Sequence, residues 1–135
     1  MLTLTADYAL RAVLVLAREP EAKAMQADRI AEAIGAPRNY LSKTLNTLAK
    51  AGIVTSARGP LGGFALAVPP HRLFVAQIAD VFEEQRPHTK CLLGRRACNA
   101  AEPCAAHARW SAMMRAARGS LSSTTVADLL GRAFG

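Results

Sequence analysis

The sequence predicts a mainly α-helical protein with one small β-hairpin, arranged as a winged helix-turn-helix followed by a long C-terminal helix. Apolar residues recur at helical spacing in three successive segments of the first fifty residues. A Gly- and Pro-rich stretch with alternating residues follows, and a further apolar helical stripe lies near the C-terminus. These patterns divide the chain into residues 1–84, 85–104 and 105–135.

The first three helices are delimited by Pro and Gly. Pro20 ends the first helix near Arg18, and Gly35 supplies the C-terminal stop of "QADRIAEAIG". The third segment, "APRNYLSKTLNTLAKAG", has Pro37 where a first helical turn tolerates it, and Gly52 at its end. Its apolar core stripe consists of Leu41, Leu45 and Leu48.

The opposite face of this third helix carries cations, amides and a hydroxyl, with no acidic residue among them. Arginine, lysine and asparagine can contact base edges in a major groove, and serine can contact phosphate. An ordinary solvated face is the alternative, although such faces usually mix both signs of charge. The predicted DNA-contacting residues are Arg38, Asn39, Ser42, Lys43, Asn46 and Lys50.

The segment "IVTSARGPLGGFALAV" predicts a hairpin, with strands over residues 53–57 and 64–68. Turn residues Gly59, Gly62 and Gly63 lie between these strands. After a basic third helix, such a hairpin is typical of the wing of a DNA-binding domain at residues 1–84. Arg58 is then placed to reach a minor groove or phosphates. A purely structural hairpin covering the core is the alternative.

The charge balance favours a polyanionic partner. The net charge is +7 and the sequence pI is about 10.0, which suits nucleic acid or an anionic membrane surface. No apolar run reaches the ~18–20 residues that span a bilayer, and the N-terminus lacks a signal-peptide pattern. We therefore expect a cytoplasmic protein. Catalytic constellations are absent from the sequence, so we expect neither an enzyme nor a small-molecule substrate.

Three helices are predicted after the wing. "LFVAQIADVFEE" forms a fourth helix, and a long helix runs from residue 104 to about 121. The long helix is too apolar for a lone surface helix, so we expect a second copy of the chain to cover it, giving a homodimer. A last helix, "VADLLGRAF", follows a Thr124 or Thr125 cap. The predicted dimer-interface residues are Trp110, Met113, Met114, Ala117 and Leu121.

All three cysteines lie within residues 85–104, at Cys91, Cys98 and Cys104, with His107 just beyond. Such a set can hold zinc or an iron–sulfur cluster. The gaps are longer than the C-x2–4-C of zinc knuckles and favour the larger cluster, either 2Fe–2S or 4Fe–4S. Zinc remains an alternative cofactor. A thiol switch that pairs Cys91 with Cys98 remains an alternative mechanism. A further alternative is that the three cysteines have no common function.

The chain resembles the bacterial winged-helix family of the iron–sulfur regulator IscR and the nitric-oxide-sensing repressor NsrR. The similarity covers almost the full chain. It rests on "ADYALRAV", "YLSKTLNTLAKAGIV", "RGPLGGF", the three cysteines, "CAAHARW" and "TTVADLL". The resemblance implies a homodimeric transcription regulator, a repressor or an activator, that binds double-stranded DNA. As a dimer it would bind a near-palindromic operator. It also implies that cluster state, set by nitric oxide, redox conditions or iron–sulfur status, controls promoter affinity.

The resemblance implies two different fourth ligands to the cluster. In the IscR-like branch a histidine matching His107 is the ligand, whereas in the NsrR-like branch an aspartate matching Asp7 reaches the cluster from the partner subunit. This sequence carries both residues. Ser42 stands where the IscR-like branch often has an acidic residue, and this departure favours Asp7. Either residue could instead have a purely structural role.

Overall fold

The computed structural model describes residues 3–60, 62–83 and 105–130, with the backbone alone at Ala22, Glu83, His107 and Trp110. The predicted cysteine-bearing segment, residues 85–104, lies outside these residues. Six α-helices, two β-strands and two 3-10 turns make up the described part of the chain. In order they are α1 (Leu4–Ala17), a 3-10 turn (Pro20–Ala22), α2 (Ala27–Ile34), α3 (Arg38–Lys50), β1 (Val54–Ala57), β2 (Gly63–Leu66), a 3-10 turn (Pro70–Arg72), α4 (Val75–Glu83), α5 (His107–Ser123) and α6 (Val126–Leu130).

Local capping explains where the first helices begin and end. The hydroxyl of Thr3 accepts a hydrogen bond from the backbone N–H of Ala6 and so caps the start of α1. Gly35 ends α2 in the left-handed conformation, at φ 70°, which glycine adopts without a steric penalty. Pro37 immediately precedes α3 and is its N-cap residue. The stops that the sequence predicted are therefore confirmed to within one residue.

The wing is an antiparallel hairpin in which Val54 pairs with Leu66 and Ala57 with Gly63. Each strand has four residues rather than the five predicted: β1 begins one residue later, and β2 begins one residue earlier and ends two residues earlier. Ile53 stays outside β1 because its N–H donates to the carbonyl of Leu48, which joins the hairpin to the end of α3. We call β1, β2 and the connecting residues 58–62 the wing.

Helices α1 to α4 enclose one hydrophobic core, to which the wing and α6 also contribute. The stripe of Leu41, Leu45 and Leu48 is fully buried, as predicted. Val126 of α6 belongs to the same core, although it lies more than forty residues beyond α4 in the sequence. Its N–H donates to the carbonyl of Leu73 at 2.8 Å, and this hydrogen bond joins α6 to the segment before α4. We call α1–α4, the wing and α6 together the head.

The start of α6 is a capping box. The Thr125 N–H donates to a carboxylate oxygen of Asp128 at 2.9 Å, and the Asp128 N–H donates to the Thr125 hydroxyl at 3.1 Å. The first of these bonds, assisted by the Thr125 hydroxyl, holds the pKa of Asp128 below its usual range. Of the two threonines that the sequence offered as a cap, Thr125 fills the position.

These observations confirm the predicted fold class, a mainly α structure with a two-stranded antiparallel wing. The long C-terminal helix is present as α5, seventeen residues in length. Over residues 3–60, 62–83 and 105–130, the structure has no helix whose length and hydropathy would carry it across a membrane. The three-part division of the chain stays a prediction.

Candidate nucleic-acid interface

The polar side of α3 lies at the surface of the head, opposite the buried leucine stripe. Asn39, Lys43, Asn46 and Lys50 are exposed, and Ser42 is half-buried. Since Asn39, Lys43, Asn46 and Lys50 are spaced by three or four residues, they follow one side of the helix. We call one set of residues the reading face: Arg38, Asn39, Ser42, Lys43, Asn46 and Lys50.

Arg38 begins the reading face and forms an ion pair with Asp28 of α2. Both side chains are more than half exposed, so the pair lies at the surface between the two helices of the helix-turn-helix. The sequence suggested a face without acidic residues, but α2 brings one carboxylate to its edge. Arg38 is consequently held towards α2, while Lys43 and Lys50 further along α3 stay exposed.

The wing presents Arg58 and Gly59 at its exposed end. Gly59 has φ 99°, a conformation that side chains disfavour, and its carbonyl accepts a hydrogen bond from the Gly62 N–H at 2.9 Å. Gly62 is buried, and a Cβ there would lie 2.3 Å from the Ala57 carbonyl oxygen. Close packing therefore explains Gly62, whereas Arg58 and Gly59 remain exposed at the surface of the wing.

Asp7, one of the two candidate fourth ligands, lies on the surface of α1. Its carboxylate pairs with Arg11 one turn later, at 3.2 Å, and its side chain is 38% exposed. A carboxylate in this position is held in one orientation but is open to a second molecule. The other candidate, His107, is the first residue of α5, and its side chain is outside the described residues.

The predicted cysteine ligands Cys91, Cys98 and Cys104 also lie outside the described residues, so the predicted ligand set stays a prediction. Over the ranges that are described, histidine, aspartate and glutamate side chains form no group that could hold a metal ion.

Helix α5 is attached to the head along one side. The Arg118 guanidinium forms two hydrogen-bonded contacts with the Asp80 carboxylate of α4, at 2.9 and 3.1 Å. Met114 and Leu121 lie on the same side of α5 as Arg118 and are half-buried, as is the neighbouring Ala117. Met113 faces away and is 53% exposed. The predicted interface stripe is thus divided between a side turned towards α4 and an open side.

Sequence reasoning missed Tyr40, in the first turn of α3. Its ring meets Tyr8 of α1 edge-on, with centroids 5.6 Å apart, and its hydroxyl contacts the Thr5 hydroxyl. Tyr40 therefore fixes the start of the reading face to α1. The only signal in the sequence was an aromatic residue outside the leucine stripe, and periodicity alone does not identify its partner.

With this geometry established, comparison with known proteins identifies the family. Residues 2–132 match the sequence profile of the Rrf2 family, described as an iron-dependent transcriptional regulator. The chain belongs to the Rrf2 family. The resemblance noted from the sequence motifs is therefore confirmed.

Individual Rrf2-type relatives align over most of the chain. A putative HTH-type transcriptional regulator of Aquifex aeolicus is 32% identical over 128 residues, covering 93% of this chain and 88% of the relative. The HTH-type transcriptional regulator IscR of Xenorhabdus nematophila is 30% identical over 129 residues, covering 96% and 78%. The crystal structure of oxidised CymR from Staphylococcus aureus shares the fold with a TM-score of 0.79, at 24% identity, and the alignment covers 100% of this chain and 99% of CymR.

Membership of the Rrf2 family makes this chain a transcriptional regulator, and transcriptional regulators of this family bind DNA. It also confirms the prediction that the protein is not an enzyme, because its relatives are regulators. The basic reading face and the wing are the surfaces of the described residues that suit this function.

Proposed function

We propose that this protein is a homodimeric, cytoplasmic repressor whose affinity for a near-palindromic operator depends on an iron–sulfur cluster. The observation that carries the proposal is the open, arginine-oriented carboxylate of Asp7, in a chain that also has three clustered cysteines. The cluster would be held by Cys91, Cys98 and Cys104, with Asp7 of the second copy as the fourth ligand. His107 is the competing fourth ligand.

DNA recognition is assigned to two surfaces. The reading face enters the major groove, where Asn39, Asn46 and Lys43 meet base edges and Ser42 meets phosphate. Arg58 at the wing contacts phosphates or a narrow minor groove. The net charge of +7 supports binding to a polyanion, and the exposure of Asn39, Lys43, Asn46 and Arg58 supports direct contact.

The position of Asp7 supports its use as a ligand across a dimer. The carboxylate is on the outer surface of α1 and keeps an ion pair with Arg11 rather than a buried partner. Carboxylate oxygens are established ligands of non-haem iron, and cysteine thiolates hold iron–sulfur clusters. When bound, the cluster supplies a redox- and nitric-oxide-sensitive centre. Arg11 would orient the Asp7 carboxylate. Loss of the cluster would release this tie between α1 of one copy and the cysteine-bearing segment of the other.

Dimerisation through α5 follows from its open side. Met113 is exposed, and the predicted partner residues include Trp110, Met114, Ala117 and Leu121. A second copy on this helix would place two reading faces about one turn of DNA, ~34 Å, apart, which matches a near-palindromic operator.

The test is anaerobic purification followed by a visible spectrum and assays of iron and sulfide. We expect a visible chromophore in the wild-type protein and none in Cys98→Ala. We also expect Cys98→Ala to change affinity for an operator selected from random duplexes by about 5–150-fold. Asp7→Ala should shift or bleach the spectrum, whereas His107→Ala should leave it unchanged.

Matched variants control this experiment. Asp28→Ala removes another arginine-paired carboxylate, and His71→Ala removes an exposed imidazole. Neither should alter the spectrum. A shifted spectrum in His107→Ala alone would assign the fourth ligand to His107. A colourless wild-type protein with one zinc per chain would replace the cluster by zinc, and a Cys91–Cys98 disulfide formed by oxidant would favour a thiol switch.

A further inference from the structure

The residue that precedes α2 does not cap this helix. N-cap positions favour Ser, Thr, Asp or Asn, whose short side chains accept a hydrogen bond from the first turn. Gln26 occupies the N-cap of α2 and makes no such bond. Its Nε2 instead donates to the Pro60 carbonyl oxygen in the wing at 3.2 Å, across thirty-four residues of sequence. The side chain thus leaves α2 uncapped and joins it to the wing.

The backbone beside Gln26 joins the same hairpin closer to its base. The Met25 N–H donates to the Phe64 carbonyl at 2.8 Å, and the Phe64 N–H donates to the Met25 carbonyl at 2.7 Å. Gly63, at φ 129°, permits this approach, because a Cβ there would lie 2.3 Å from the Met25 carbonyl oxygen. Met25 therefore forms a single antiparallel β-bridge to Phe64 of β2, and Gln26 extends the attachment towards the tip.

The bond from Gln26 reaches the part of the wing that carries the exposed cation. Pro60 lies between Gly59 and Gly62, whose own hydrogen bond closes the turn, and Arg58 stands directly before that turn. A two-stranded hairpin is only marginally stable by itself in water. Holding the Pro60 carbonyl therefore restricts where the turn, and with it Arg58, can lie relative to α2 and α3.

We propose that Gln26 is a positioning residue for DNA binding: it holds the wing turn so that Arg58 meets the DNA backbone when α3 is in the major groove. The proposal rests on the proposed contact between the wing and DNA, and adds to it the residue that orients the wing.

The test is Gln26→Ser in the full-length protein, with a random-sequence duplex as the probe because phosphate contacts do not depend on sequence. Serine is a preferred N-cap but is too short to reach Pro60. We expect the melting temperature to stay the same or rise, while DNA affinity falls by roughly twofold to tenfold, the effect of ordering one interface side chain. The slope of log affinity against log salt should decrease by about one.

Two further variants make the result specific. Gln26→Met keeps the length of the side chain and removes its hydrogen-bond donor. Its DNA affinity should therefore fall as much as that of Gln26→Ser, but its melting temperature should not rise, because methionine cannot cap α2. In an Arg58→Ala background, Gln26→Ser should cause no additional loss. Full DNA affinity in Gln26→Ser, or an equal loss in both backgrounds, would overturn the positioning role. An Arg58→Ala variant with unchanged affinity would instead overturn the contact between the wing and DNA, and the proposal with it.

Discussion

Helices α3 and α5 both carry an apolar stripe, but only α3 has that stripe fully covered within one chain. Leu41, Leu45 and Leu48 of α3 have no exposed surface. Helix α5 is longer, yet none of its described side chains is fully buried, and Met113 is 53% exposed. The stripe of α3 meets α1, α2 and β1, whereas α5 contacts mainly α4. An apolar stripe thus predicts that one face of a helix is buried, but it does not predict whether the same chain or a second copy buries it.

The largest difference between the two helices should appear in folding stability. Leu45→Ala removes a fully buried side chain and should lower the free energy of unfolding by about 2–5 kcal/mol, because it loses buried area and leaves a cavity. Met113→Ala, measured at concentrations where the chain is monomeric, should change it by less than about 0.5 kcal/mol. Urea denaturation of both variants checks this, and equal effects would remove the distinction between α3 and α5.

The next effect concerns association. Met113→Asp places a carboxylate on the open side of α5 and should raise the dimer dissociation constant by at least about tenfold, because an apolar interface would have to bury the charge. Sedimentation equilibrium measures it. Ser122→Asp is the matched control, since Ser122 is exposed on the opposite side of the same helix. A Met113→Asp protein that stays fully dimeric would show that another surface holds the two copies together.

The smallest effect concerns the attachment of α5 to the head. Asp80→Asn removes the negative charge that pairs with Arg118. The Asp80 side chain is 39% exposed and the Arg118 side chain 58%, so the free energy of unfolding should fall by no more than about 1 kcal/mol. The loss should shrink in high salt, because ions screen exposed pairs. Urea titrations at low and high salt, with Arg118→Gln to complete a double-mutant cycle, measure the coupling. A loss that is insensitive to salt would indicate that packing holds α5.

The elements of the head were predictable because their signals are local. The spacing of Leu41, Leu45 and Leu48 predicted α3, and Gly35 predicted the end of α2. Contacts between distant segments were not predictable: Asp28 with Arg38, Tyr40 with Tyr8, and Gln26 with Pro60 join residues whose periodicity gives no partner. Within the candidate site, the sequence predicted which side chains of α3 are exposed, but it did not predict that α2 supplies a carboxylate beside Arg38.

The return of α6 to the head also bears on how the chain tolerates changes in length. Val126 packs in the core shared with α1 and donates its N–H to the Leu73 carbonyl, so α4 and α6, which flank the intervening chain, are both anchored in the head. The entropic cost of holding the two ends of a chain segment together grows only with the logarithm of its length, about 0.6 kcal/mol per doubling. Insertions or deletions between α4 and α5 should therefore leave the head intact. The segment that carries the cysteines should therefore tolerate changes in length without altering the positions of the reading face and the wing.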